Sequence, residues 1–160
     1  MNYTLGIDPG VNGALALLDD AGECRGVLDM PTLAAGGKKG RRILDGPALI
    51  RWLRKLPPGR VTAMLEEVSS MPRDGHVAAF SFGRTYGTTE TALAAAGIPY
   101  RTVRPAIWKK VMGVLADKDH ARMKATQLIP SGAKHWPLKK HDGRAEAALI
   151  AQYGRQLVGG

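Results

Sequence analysis

One cysteine, Cys24, is the whole thiol content of this chain. That excludes an internal disulfide and a cysteine-based zinc site, and it fits a reducing compartment. Long apolar runs are missing too. None approaches the length needed to cross a bilayer, and no basic segment followed by a signal-like apolar core opens the chain. The expected setting is therefore cytoplasmic, with no membrane partner. Acids are scarce beside bases: 14 Asp plus Glu against 23 Lys plus Arg, a formal charge of +9 and a pI of about 10.0. Such an excess on a small protein points to a polyanionic partner, nucleic acid first; an acidic membrane surface or charge held for solubility are the alternatives. No repeat, low-complexity segment or linker interrupts the 160 residues, of which 44% are hydrophobic. One domain over residues 1–160 with its own core is expected.

What the chain does have begins with Leu5-Gly6-Ile7-Asp8-Pro9-Gly10-Val11-Asn12-Gly13-Ala14-Leu15-Ala16-Leu17. Two apolar runs flank Pro-Gly and Asn-Gly signals, which predicts a strand, a tight turn and an antiparallel strand. Asp8 stands where the first strand meets the turn. A lone acid among apolar neighbours needs a partner such as a metal ion or a helix N-terminus, unless it only bonds backbone within its own turn.

Further along, Cys24 to Met30 can supply a third strand. Gly36-Gly37-Lys38-Lys39-Gly40-Arg41-Arg42 is a basic loop, either a solvated surface or a contact to a phosphate backbone. Ala48, Leu49, Trp52, Leu53 and Leu56 fall at helical spacing, with Trp52 expected in the core. Val61 to Leu65 is a buried-type strand ending at Glu66. A helix is expected over about Val77 to Ala96, with Phe82, Tyr86, Thr89 and Leu93 as one stripe. Gly83 and Gly87, a turn apart, suggest something pressed against the helix backbone. A strand over Ile98 to Val103, a short helix from Pro105 through Lys110, and a helix over Lys118 to Leu128 follow. Ser131 to His141 is expected as a loop, and a last helix starts near Asp142. This order predicts one mixed α/β sheet with helices on its faces.

Asp142 and Glu146 are four residues apart and share a helix face. They are either ordinary first-turn acids or two further ligands beside Asp8 and Glu66. Glu67 should point to the opposite face of the sheet. Four hard oxygen donors in a basic protein suit Mg²⁺ or Mn²⁺. Two such ions can drive in-line hydrolysis of a phosphodiester while basic groups hold the backbone.

These residues resemble a known family. Gly6-Ile7-Asp8-Pro9-Gly10, Leu65-Glu66-Glu67-Val68, and Asp142 with Ala145-Glu146-Ala147 are similar to the RuvC Holliday-junction resolvases, particularly their bacteriophage-type relatives. Phe82-Gly83-Arg84 with Gly87, Gly97-Ile98-Pro99-Tyr100, Pro105 with Trp108-Lys109-Lys110, and Ala116-Asp117-Lys118 extend the match. The resemblance implies an RNase H-like fold, a mixed five-stranded sheet flanked by helices on both faces. It implies that Asp8, Glu66, Asp142 and Glu146 hold two Mg²⁺ ions, with Mn²⁺ as a substitute, and that Lys118 sits near the scissile phosphate or else is a surface lysine. It further implies a homodimer that nicks four-way junctions symmetrically, leaving a 5′-phosphate and a 3′-hydroxyl. Lys38, Lys39, Arg41, Arg42, Arg84, Lys109, Lys110, Lys118, Lys139 and Lys140 are the expected DNA contacts.

Two positions depart from the family pattern. The last two acids are three residues apart in the cellular relatives and four here, with Gly143 at the nearer position, and His141 is a conceivable substitute ligand. The cellular enzymes also carry an aromatic three residues after the strand-end glutamate, where this chain has Ser69; Met71 is a candidate wedge in its place. Three competing functions remain. One is the phosphate-binding hairpin of actin-like and sugar-kinase ATPases, for which 160 residues are too few. The others are a branched-DNA-binding protein that does not cut and a less selective nuclease on forks, flaps or hybrids.

Overall fold

The computed structural model describes residues 1–36, 40–69, 71, 73–115 and 117–158, with Lys118 and Val158 described by backbone alone. The Pro-Gly and Asn-Gly signals do close a hairpin. Strand β1 (Tyr3–Asp8) pairs antiparallel with β2 (Ala14–Asp19), Asp8 opposite Ala14, and Gly13 N–H donates to the Gly10 carbonyl at 2.8 Å. Strand β3 (Cys24–Asp29) continues the meander. A small separate hairpin follows, β4 (Thr32–Ala34) with β5 (Arg42–Leu44). The basic segment expected as a plain loop therefore joins two short strands.

Helix α1 (Gly46–Leu53) is started by Asp45, whose Oδ1 accepts from Ala48 N–H at 2.9 Å, and by Pro47 in the first turn. It stops short of the Leu56 included in the sequence pattern. Strand β6 (Val61–Glu66) runs parallel to β1 and places Gly6 beside Met64. Helix α2 (His76–Ala96) ends at Gly97, whose φ of 69° is the left-handed conformation that favours glycine at a helix end. Strand β7 (Tyr100–Val103) pairs parallel with β6. Helices α3 (Pro105–Met112), α4 (Lys118–Leu128) and α5 (Asp142–Val158) complete the chain. The stretch expected as a loop before α5 holds two 3₁₀ turns, Pro130–His135 and Lys139–His141.

The five-stranded sheet has the order β3-β2-β1-β6-β7, with β1–β6–β7 parallel and β2 and β3 antiparallel to them. Strand periodicity divides the core between its faces. Leu5, Ile7, Leu15, Leu17, Ala63 and Leu65 pack with Leu49 and Leu53 of α1 and Ala92 and Leu93 of α2. Ala14, Ala16, Leu18 and Met64 pack with Trp108, Ala121, Ala125 and the alanines of α5. Helices thus cover both faces, as expected.

Helix α5 lies directly on β1. A Cβ at Gly6 would come within 2.0 Å of the Ala147 carbonyl oxygen and 2.3 Å of the Ala151 nitrogen, so only glycine admits this approach. Buried Ala145, Ala147, Ala148 and Ala151 supply the matching small surface on the helix. The spacing of Gly83 and Gly87 leaves the sheet, another subunit or a nucleic acid strand as what they receive, and the sheet is not what meets them. Cβ atoms at Gly83 and Gly87 would meet nothing within 4 Å, so no described residue presses on α2 there. Of its proposed stripe, Thr89 and Leu93 are buried, but Phe82 is exposed.

Candidate active site

The same periodicity that sorts the core aims Asp8 and Glu66. Leu5 and Ile7 of β1, and Ala63 and Leu65 of β6, face α1 and α2. The alternate residues Asp8 and Glu66 therefore face α5, at the C-terminal ends of adjacent parallel strands. Asp8 Oδ1 accepts a hydrogen bond from Gly10 N–H at 3.2 Å.

The start of α5 fits against the turn that follows Asp8. A Cβ at Gly143 would stand 2.6 Å from the Asn12 carbonyl oxygen and 3.5 Å from Asp8 Oδ2. This backbone has no room for a side chain at 143, hence none for an acid there. The four-residue spacing of Asp142 and Glu146 has its physical reason in that contact.

Burial pushes the Asp8 carboxyl up to about 6; the Gly10 N–H opposes this, Glu146 and Asp142 add to the rise, and Lys109 opposes it. Burial likewise pushes Glu66 up to about 7. Asp8 and Glu146 add to its rise, while the Trp108 hydrogen bond and Lys109 oppose it. Glu146 acts on both Asp8 and Glu66, Asp8 acts on Glu66, and Asp142 acts on Asp8. Acids from β1, β6 and α5 therefore share one electrostatic neighbourhood.

Helix α3 supplies the groups that hold them. Trp108 Nε1–H donates to Glu66 Oε2 at 2.6 Å, and Lys109 Nζ lies 3.2 Å from Glu146 Oε1. Among the described residues, no three His, Cys, Asp or Glu side chains are drawn up into a closed metal-binding cluster. The donor chemistry nevertheless suits a hard divalent cation: carboxylate oxygens, raised proton affinity caused by burial and mutual repulsion, and an ammonium already beside Glu146.

Asp8, Asp142 and Glu146 line a cleft of about 890 Å³ together with Asp29, Arg42, Phe82, Lys109, Lys140 and His141. The remaining expected positions fall as follows. Arg42 donates to Thr32 Oγ1, which holds it across the β4–β5 hairpin. Arg41, Arg84, Lys110 and Lys139 are exposed, and Lys139 pairs with Asp119 at 3.2 Å. Lys38, Lys39 and the side chain of Lys118 lie outside the described residues. His141 Nδ1 accepts from Leu138 N–H at 3.3 Å. Burial, Arg144 and Lys140 hold its pKa below the ordinary histidine value. Glu67 is occupied away from the acids, accepting from Thr102 Oγ1 at 2.9 Å and lying 3.5 Å from Arg104. Ser69 and Met71 are both exposed beyond β6.

Sequence reasoning missed the supports of the site. Arg144 binds both oxygens of Asp29 at 2.6 Å and the His135 carbonyl at 2.9 Å, which ties α5 to the end of β3. Its position two residues after Asp142 was the only local hint. Lys109, one of the expected DNA contacts, pairs with Glu146.

A mixed sheet with this strand order, covered on both faces and carrying acids on β1, β6 and α5, is the RNase H-like fold. Within that class the similarity is to RuvC. A Thermus thermophilus RuvC structure in complex with a Holliday junction substrate superposes with a TM-score of 0.65 at 19% identity, covering 99% of this chain and 96% of that one. A second Thermus thermophilus RuvC structure gives 0.58 at 18% identity, covering 98% and 96%. At these identities the likeness is one of fold. No protein-family model and no curated protein sequence matches the chain.

Proposed function

We propose that residues 1–160 form a single nuclease domain, an endonuclease dependent on divalent metal that resolves four-way DNA junctions by symmetric nicking as a homodimer. The observation that supports this best is that Glu146 and Asp142 raise the Asp8 carboxyl while Asp8 and Glu146 raise that of Glu66, in a protein of net charge +9. Those four acids are the ligands for two Mg²⁺ ions, or Mn²⁺ in their place. The chemistry such ions supply when bound is activation of water and stabilisation of the leaving oxygen in phosphodiester hydrolysis.

The chain's own residues prepare for that chemistry. Gly143 and Gly6 let α5 bring its acids to Asp8. Lys109 offsets the repulsion among them. Arg42 and Lys140, exposed residues that line the cleft, meet the phosphates flanking the scissile one, with Arg41, Arg84, Lys110 and Lys139 extending the contact. Lys118 is assigned near the scissile phosphate by the family resemblance. The stretch of α2 from Phe82 to Ala96, whose Phe82 and Gly83 are exposed, is the surface for the second copy. Products carry a 5′-phosphate and a 3′-hydroxyl.

The test is a gel assay of four-way junction, fork, flap, duplex and single strand, with and without Mg²⁺. The expected result is paired nicks in the junction that require metal. Asp8→Asn should remove cutting and leave junction binding within about threefold. Equal cutting of forks and flaps would make the protein a less selective nuclease. Binding without any cutting would make it a branched-DNA-binding protein.

A further inference from the structure

Helix α3 contributes no acid to the cleft, yet two of its consecutive residues hold two of the acids. The Trp108 side chain is fully buried, and its one polar atom is spent on Glu66, at 2.6 Å. Lys109 reaches Glu146 at 3.2 Å and sits 5.3 Å from the centroid of the Trp108 ring.

We propose that Trp108 is a positioning residue, whose indole N–H fixes the Glu66 carboxylate to receive a divalent cation. This rests on the reading above that Glu66 is a metal ligand. A distance of 2.6 Å is that of a strong hydrogen bond to a carboxylate. It immobilises a side chain at a strand end that otherwise rotates about three torsions. One oxygen is engaged by the indole, and the other is left for the cation. Packing calls for the indole's volume but not for its N–H, since a ring of the same shape without that donor would fill the same core. The two holders also differ in kind. An ammonium such as Lys109 competes with a metal ion for a carboxylate, whereas a neutral N–H donor remains compatible with one. Hydrogen-bond partners behind a metal ligand orient it and raise its affinity.

The experiment is a calorimetric titration of the full chain with Mn²⁺, together with the Mn²⁺-induced rise in Tm. Trp108→Phe removes the N–H and should weaken Mn²⁺ binding by about 10- to 100-fold, with metal-free junction affinity unchanged. In a Glu66→Gln background the same substitution should cause no further loss, because its effect runs through Glu66. Equal losses in both backgrounds, or a lower metal-free Tm with Mn²⁺ affinity intact, would overturn the proposal. If Trp108→Phe does not fold, 3-benzothienylalanine at position 108 keeps the ring shape with sulfur in place of N–H, and the same outcomes decide. A wild-type chain that neither binds Mn²⁺ nor cuts overturns the nuclease reading itself. A wild type that does both, beside a Trp108→Phe protein that binds equally well, overturns only the role of Trp108.

Discussion

Asp8 and Glu66 are held in a state that works against the fold until a cation arrives. Their carboxyls ionise at about 6 and about 7 in the folded chain, against ordinary values of 3.8 and 4.5. A raised acid pKa means that the folded state binds more protons than the unfolded one across that interval. The stabilising contribution is therefore complete below about pH 4 and is lost as pH rises through about 7. The metal-free protein should lose several kcal/mol over this range, given the rises to about 6 and about 7 at the two acids and about 1.4 kcal/mol per pKa unit. Thermal unfolding from pH 4 to 8 should show this decline, and Mg²⁺ at pH 8 should reverse it. Asp8→Asn, measured without metal at pH 8, should raise Tm, because the amide removes a buried charge from among like charges. A Tm that stays flat with pH and does not respond to Mg²⁺ would show that these acids form no cation site.

Helix α5 is the element on which the site depends. It lies on β1 at Gly6, meets the Asn12–Gly13 turn at Gly143, and is tied to β3 by Arg144 bound to Asp29. Exchanging glycine for alanine inside a helix is ordinarily favourable by about 0.5–1 kcal/mol. At Gly143 the new Cβ would sit 2.6 Å from a backbone carbonyl oxygen, which has no flexible tail to move aside. Gly143→Ala should therefore cost about 1–3 kcal/mol. It should also reduce cutting more than junction binding, since the shift separates Asp142 and Glu146 from Asp8 while leaving the basic residues of the cleft in place. Single-turnover cleavage beside a binding titration checks both parts. An unchanged rate would mean that the start of α5 can move without consequence.

Over the whole molecule, the charge balance sets how the protein meets its substrate. Asp8, Asp142 and Glu146 line the cleft together with Arg42 and Lys140. Each phosphate contact should steepen the salt dependence of binding by about 0.9 in log–log slope. Arg42→Ala with Lys140→Ala should therefore make that slope shallower by about 2, weakening junction and duplex binding alike. An unchanged slope would place the phosphate path elsewhere on the surface.

The sequence by itself determined the element order, the strand alternation that turns Asp8 and Glu66 to one face, the helical spacing of Asp142 and Glu146, and the basic excess. Periodicity, turn chemistry and charge are properties of neighbouring residues, so they can be seen without a fold. The β4–β5 hairpin was less visible, because its strands are three residues long and carry too little periodicity to register. The glycines show the limit most plainly. Gly83 and Gly87 meet no described residue of this chain, while Gly6 and Gly143 carry the close approaches within it. Only the tertiary structure decided that, together with the pairing of Trp108 with Glu66 and of Lys109 with Glu146, which joins residues 42 and 37 positions apart. Such contacts are fixed by how α3 and α5 settle on the sheet, and that depends on packing volumes summed over the core, which no local pattern encodes.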